Sequence, residues 1–180
     1  MASNDEKFNP FFNKYHRYGA YHWMWYYSET KSKISYINYV NFVKDWIKEK
    51  NVLDIGAGDG LIVHILGIKG IDNEPKAIEM AKEKGVDIDL GDAYDLPYKD
   101  EEFDSVFMGN ILEHFEFPEK AIIEARRVLK KYLYIIVPER EPPFRITPDK
   151  LKEMVEGIGF VLEGEILVKS RTIHAKFSKI

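Results

Sequence analysis

The sequence predicts an α/β fold, a mostly parallel sheet covered by helices on both faces. Two observations carry that prediction. From residue 52 onward, short apolar runs alternate with segments of helical period. The connections between them are short and marked by glycine or proline, the pattern of parallel strands joined by crossover helices. A length of 180 residues fits a single domain. Within it, residues 1–50 read as an aromatic segment plus a helix, and 51–180 as the sheet core.

The elements follow in order. Of the Phe, Tyr and Trp residues, 14 fall in the first 50 positions, ten of them between Phe8 and Tyr27, without a clean helical or strand period. Lys31 to Lys50 is helical, with Ile34, Ile37, Val40, Val43 and Ile47 on one stripe. Val52–Ile55 is a first strand, ended by glycines, and is followed by a short helix over 61–66 and a second strand, Ile68–Ile71. Pro75–Lys84 has proline at the first helical position, apolar Ala77, Ile78 and Ala81, and Gly85 as its stop. Val86–Leu90 and Phe103–Met108 are the third and fourth strands. Glu119–Lys130 is a helix because Ala121, Ile122, Ala125, Val128 and Leu129 share one face. Tyr132–Val137 is a fifth strand, closed by Pro138. Thr147 caps a helix that has Pro148 at its first position and runs to about Gly157. Phe160–Lys169 and Thr172–Phe177 read as final strands, and in the latter Ile173, Ala175 and Phe177 alternate with polar residues.

Composition narrows the function. A net charge of −4 argues against nucleic acid as a partner, because such binders neutralise phosphates. There is no cysteine, which excludes disulfides, thiolate zinc sites and cysteine nucleophiles. No apolar run approaches the ~20 residues of a membrane span, and MASNDEKFNP lacks the apolar stretch of a signal peptide. The expectation is a cytoplasmic protein, monomer or homodimer, with no membrane partner. His16, His22, His64, His114 and His174 show no helical His-x3-His spacing, so no metal site is expected.

The strongest motif is Val52-Leu53-Asp54-Ile55-Gly56-Ala57-Gly58-Asp59-Gly60, a strand that ends in a glycine-rich turn and opens a helix. Glycines there allow positive φ and a close approach of the backbone to a ligand. Acids beside the turn suit a cationic ligand end better than a pyrophosphate. Eighteen residues after Asp54 stands Asp72, near the offset at which a carboxylate accepts ribose hydroxyls. Its structural alternative is to cap the helix that starts at Pro75. Asp92, after the third strand in Gly91-Asp92-Ala93-Tyr94-Asp95-Leu96-Pro97, is placed to accept from an adenine amino group.

The set LDIGAGDG, GID, GDAYDLPY, FDSVFMGNILEHF, EARRVLK and GIGF, in this order over residues 50 to 165, resembles the class I S-adenosylmethionine-dependent methyltransferases, in particular their small single-domain, type 11-like members. The resemblance implies a three-layer Rossmann-like methyltransferase fold, with a mostly parallel seven-stranded sheet and an antiparallel C-terminal strand. It implies S-adenosyl-L-methionine as cofactor and S-adenosyl-L-homocysteine as product. By the same resemblance, Gly56, Ala57, Gly58 and Gly60 lie along the methionine part, with Asp54 near its amino acid end. Asp72 holds the ribose, Asn73 flanks the adenine, Asp92 and Ala93 read its amino edge, and Asn110 lies beside the cofactor. There are departures. The helix Leu61–Leu66 is short, and Lys130-Lys131-Tyr132 stands where many relatives have a Pro-Gly-Gly turn. No Asn/Asp-Pro-Pro-Tyr follows the fourth strand, which lowers the case for methylating exocyclic amino groups of DNA bases.

The implied chemistry is direct displacement at a sulfonium methyl, for which alignment of the reactants matters most. The expected acceptor is an oxygen or nitrogen nucleophile of a small molecule. Alternatives are a protein side chain, or a homologue that binds cofactor without turnover. An oxidoreductase using a dinucleotide is disfavoured by Asp59 between the last two glycines. Candidate bases are His114 and His22, each with a packing role as its alternative. Tyr15, Tyr18, His22, Trp23 and Tyr26 are candidate acceptor-site residues within a covering aromatic segment, most of whose rings are expected simply to pack.

Overall fold

A computed structural model describes residues 22–27, 31–139, 146–169 and 171–180. In chain order its elements are α1 (His22–Tyr27), α2 (Lys31–Trp46), β1 (Val52–Ile55), α3 (Leu61–Leu66), β2 (Lys69–Asp72), α4 (Pro75–Glu83), β3 (Asp89–Leu90), β4 (Phe103–Gly109), a 3-10 turn (Leu112–His114), α5 (Pro118–Val128), β5 (Leu129–Pro138), α6 (Pro148–Glu156), β6 (Phe160–Leu162), β7 (Leu167–Lys169) and β8 (Thr172–Lys179). They fall into two compact units, Met1–Lys48 with Ala57–Leu90, and Glu49–Gly56 with Gly91–Ile180. No helix among the described residues is long and apolar enough to cross a membrane. Tyr15 and Tyr18 lie outside the described residues.

In the first unit β2 and β3 pair in parallel, Ile71 opposite Asp89. Helix α4 has proline in its first turn, and it buries Ala77 and Ala81, the small residues that its apolar stripe offers. On α2 the expected stripe is buried at Val40 and Val43, and Ile47 just beyond the helix is buried as well. That helix ends at Trp46 rather than Lys50, because Lys48-Glu49-Lys50 adds only charged residues and no apolar face. The third strand is shorter than its apolar run. Val86 N–H donates back to Ala81 O and closes the end of α4 around Gly85, which leaves only Asp89–Leu90 to pair. The side chains of Val86 and Ile88 stay buried all the same.

In the second unit β1 and β5 flank β4 in parallel, with Asp54 opposite Phe107 and Val106 opposite Leu133. Strand β8 runs antiparallel to β5, Ile135 opposite Ala175, and β6 and β7 pair antiparallel with β8. Strands buried on both faces read as continuous apolar runs. Accordingly all of β1 is buried, and Leu133–Val137 of β5 are fully buried. Helix α5 buries Ala121, Ile122, Ala125 and Val128, the predicted face. Its end differs from the sequence reading, because Leu129 takes an extended ψ of 151° and the chain passes from helix to strand without a glycine turn. The run Phe160–Lys169 is two strands rather than one. Gly164, at φ 78°, breaks it, and β7 is exposed throughout.

Two glycines of the first unit separate backbone strain from packing. Gly60 has φ +78°, and a Cβ there would stand 2.9 Å from both Ile88 Cδ1 and Val86 Cγ1. Gly67, the αL cap of α3, has φ +65° and nothing within 4 Å. Placing an L-residue at positive φ costs roughly 1–2 kcal/mol, and overfilling a packed core adds roughly 1–3 kcal/mol. Gly67→Ala is therefore expected to lose about 1 kcal/mol and Gly60→Ala about 3 kcal/mol, read as denaturant midpoints at unchanged m-value. Equal losses would show that the space above Gly60 is not limiting.

Candidate functional site

The glycine turn of the first unit is closed by its own hydrogen bonds. Ala57 N–H donates to Ile71 O at 3.0 Å, Gly60 N–H to Ala57 O at 3.0 Å, and Gly58 N–H to Asp72 Oδ2 at 2.7 Å. Leu61 N–H reaches Asp59 Oδ1 at 3.5 Å. A phosphate cradle works because such N–H groups are unpaired at the start of a helix. Here four of them already have protein acceptors, and one of those acceptors is a buried carboxylate.

That carboxylate is Asp59, fully inaccessible to solvent. Its Oδ2 accepts from His22 N–H at 2.7 Å and Trp23 N–H at 3.4 Å, and its Oδ1 lies 3.1 Å from His22 Nδ1. The Asp59 carbonyl accepts from Trp23 Nε1 at 2.6 Å. The His22 ring stacks on Tyr36 at 5.2 Å and 6°, Tyr36 packs against Tyr39 at 5.5 Å, and Trp23 lies 5.1 Å from His64. Of the aromatic candidates, His22 and Trp23 are thus brought directly onto the glycine turn, and Tyr26 is half-buried on the same short helix.

Asp72 ends β2 with its carboxylate turned to the same loop. Besides Gly58 N–H it accepts Glu74 N–H on Oδ1 at 2.9 Å. Burial pushes its pKa above 3.8, although the backbone donors of Glu74, Gly58 and Asn73 pull the other way. The cap of α4 is not Asp72 but Glu74, whose side chain accepts from Lys76 N–H at 3.1 Å. A carboxylate offers about four lone-pair positions, so Asp72 keeps capacity for a hydroxyl after these bonds. Asn73 beside it is exposed.

The second unit holds the other sequence candidates. Gly56 (φ +78°) has no room for a Cβ, which would stand 2.6 Å from Ile111 Cγ1. The chain's own packing thus already requires glycine here, besides the close approach to a ligand that the sequence suggests. Asp54 is buried within β1. Asn110 leaves β4 at φ 55°, with its N–H donating to Ile136 O at 2.7 Å and its side chain exposed. Asp92 closes a turn, its Oδ1 accepting Tyr94 N–H at 2.9 Å, and Ala93 lies within that turn. The following loop is tied down by Arg127 of α5. One of its Nη atoms donates to Tyr98 O at 2.7 Å, the other to Leu96 O at 2.9 Å, and the guanidinium pairs with Glu124 and Asp100. That pairing holds the Glu124 carboxyl below its usual 4.5 and the Arg127 guanidinium above its usual range. His114 is exposed, with Nε2 3.7 Å from Oε1 of the buried Glu113.

Sequence reasoning missed three residues. Asp59 was legible only as an acid between glycines, because its partners are 36 and 37 residues away. Tyr36 sat unmarked inside a helical pattern. Glu113 gave no signal, since burial of an acid beside an exposed histidine is not written in local sequence.

Strand–helix alternation, the glycine turn after β1 and an acid closing β2 define a Rossmann-like α/β protein. Residues 53–137 match the profile of a methyltransferase domain. That match, over just under half of the chain, supports the class I S-adenosylmethionine-dependent methyltransferase family that the sequence resembles. An uncharacterised protein of Methanocaldococcus jannaschii is 32% identical over 126 residues, 69% of this chain and 60% of that protein. Norajmaline N-methyltransferase of Rauvolfia serpentina is 40% identical over 95 residues, 45% of this chain and 32% of the enzyme. The chain thus spans less than two thirds of either relative. The crystal structure of a S-adenosylmethionine-dependent methyltransferase of Thermotoga maritima, described as a possible histamine N-methyltransferase, superposes with a TM-score of 0.75 at 24% identity, covering 98% of this chain and all of that one. This likeness establishes the fold class, with its mostly parallel sheet and antiparallel C-terminal strand.

The Arg127 hub has a pH signature. A carboxyl whose folded pKa is depressed contributes stability above its unfolded pKa and loses it as pH falls through the folded value. Melting midpoints of the wild type should therefore decline below pH 4.5 more steeply than those of Arg127→Met. Near neutral pH the variant should be less stable by about 1–3 kcal/mol, because two loop carbonyls lose their donor. Parallel pH profiles would remove the Glu124–Arg127 pair as the cause.

Proposed function

We propose that the protein binds S-adenosyl-L-methionine and transfers its methyl group to a nitrogen or oxygen nucleophile of a small molecule, releasing S-adenosyl-L-homocysteine. The observation that carries this reading is the chemistry of the turn. Four of its N–H groups have internal acceptors, and carboxylates stand within it and beside it, so it suits a nucleoside with a cationic end better than a pyrophosphate. The donor set fits the cofactor, because the half-buried Asp72 carboxylate has acceptor capacity left for a ribose hydroxyl. When bound, the cofactor supplies an activated methyl group on a sulfonium.

The rest falls to the chain's own residues. Gly58 and Gly60 hold the turn in its positive-φ course, and Asp72 orients the ribose while Asn73 flanks the base. The roles that family resemblance gives Asp54, Gly56, Ala57, Asp92, Ala93 and Asn110 belong to the same reading. His114, exposed beside Glu113, and His22, against Asp59, are the candidate proton acceptors for an acceptor that must lose a proton. His22, Trp23 and Tyr26, with Tyr15 and Tyr18 outside the described residues, form the aromatic candidates for the acceptor's surroundings. Norajmaline and ajmaline N-methyltransferases among the relatives support a nitrogen acceptor.

Calorimetric titration tests the cofactor. S-adenosylmethionine and S-adenosylhomocysteine are expected to bind at micromolar Kd and NADH not at all, with Asp72→Ala weakening the sulfur nucleosides at least tenfold. Affinity for S-adenosylhomocysteine should also fall on acidification. An ionised carboxylate accepts a hydroxyl hydrogen bond more strongly than the protonated form does, and the raised pKa of Asp72 places that loss at a higher pH than for an ordinary aspartate. Binding that is indifferent to Asp72→Ala would sink the ribose assignment. Mass-spectrometric profiling with panels of amines and hydroxylated small molecules tests the acceptor, a singly methylated product being the expected result.

A further inference from the structure

The strongest unassigned feature of the first unit is the buried Asp59 carboxylate. Taking such a group out of water is unfavourable unless several donors compensate. Three of its donors come from α1, namely the backbone N–H groups of His22 and Trp23 and the His22 ring at Nδ1, while Leu61 N–H stands at 3.5 Å. The exchange is mutual. The first N–H groups of a helix have no partner within it, and those of His22 and Trp23 find theirs on Asp59. A second tie, Trp23 Nε1 to the Asp59 carbonyl at 2.6 Å, fixes the backbone of the turn itself.

We propose that Asp59 is a positioning residue that couples α1 to the glycine turn, so that cofactor affinity and the docking of α1 depend on one another. Asp59 itself makes no cofactor contact in this scheme. It acts through Gly58 and Gly60 on either side, whose positive φ values of 55° and 78° define the surface offered to the methionine part. With α1 undocked, the carboxylate loses most of its donors and must be hydrated, which opens the turn at its centre. With the turn held by ligand, the same acceptors remain aimed at α1. Such coupling is reciprocal by thermodynamic necessity. The inference rests on the cofactor reading above and adds a residue outside the cofactor set.

The test combines affinity with protease sensitivity. Chymotrypsin cleavage within 22–46 is followed with and without S-adenosylhomocysteine, and its Kd is measured by calorimetry well below each variant's unfolding midpoint. In the wild type the ligand should slow cleavage several-fold. Asp59→Ala should raise the Kd at least tenfold and abolish the protection, and Asp59→Asn, which keeps a carbonyl acceptor for the backbone donors, should recover part of both. Trp23→Phe removes only the indole donor and should weaken binding several-fold in a protein that folds normally, so the proposal stands on it if Asp59→Ala does not fold. A purely structural aspartate would lower the melting midpoint while leaving ligand protection intact. Wild-type affinity and protection retained in both Asp59→Asn and Trp23→Phe would overturn the coupling alone. Absence of binding by the wild type would overturn the cofactor reading, and the coupling with it.

Discussion

The turn after β1 uses its backbone donors on the protein itself, and much of the first unit follows from that. Gly58 N–H holds the Asp72 carboxylate, Ala57 N–H holds the end of β2, and Asp59 collects the start of α1. A loop arranged in this way is held by bonds within the protein. It also has little to offer a phosphate, whose recognition needs open N–H groups. Under the proposed function the same geometry narrows the class of ligand, and it does so through hydrogen-bond accounting rather than through pocket size.

The glycines of that turn carry a related lesson. Gly56 and Gly60 both adopt positive φ, yet what excludes a side chain at each is an aliphatic neighbour, Ile111 in one unit and Ile88 with Val86 in the other. A glycine-rich motif is usually read as making room for a ligand. Here it first makes room for the protein. A substitution at either position would then disturb packing in addition to any effect on a ligand.

The fold was largely legible in the sequence because each element carried its own period and its own stop. Pro75 and Gly85 bracket α4, Thr147 with Pro148 opens α6, and the buried face of α5 is the stripe that its spacing lays out. The misreadings arose where tertiary hydrogen bonds override local pattern. Val86 is apolar and β-branched, but its N–H closes a helix. Leu129 continues a helical stripe, but its backbone pairs with Phe103 in the sheet. The candidate site could be read only as residue types at fixed offsets, which is how Asp72 stood out. The Asp59–α1 attachment was not, since a contact over 37 residues leaves no local trace.

Strand β8 lies between β5 and β6, antiparallel to both. During synthesis, β5 emerges more than thirty residues before the strand that covers its outer edge. For that interval a ten-residue edge, with five consecutive fully buried apolar residues in the finished protein, has no neighbour on one side. Unprotected edges of this kind pair readily with other chains. The arrangement of the second unit thus makes residues 172–179 a cover against misassembly as much as a structural strand, and concentrates the hazard of the nascent chain in one window of translation.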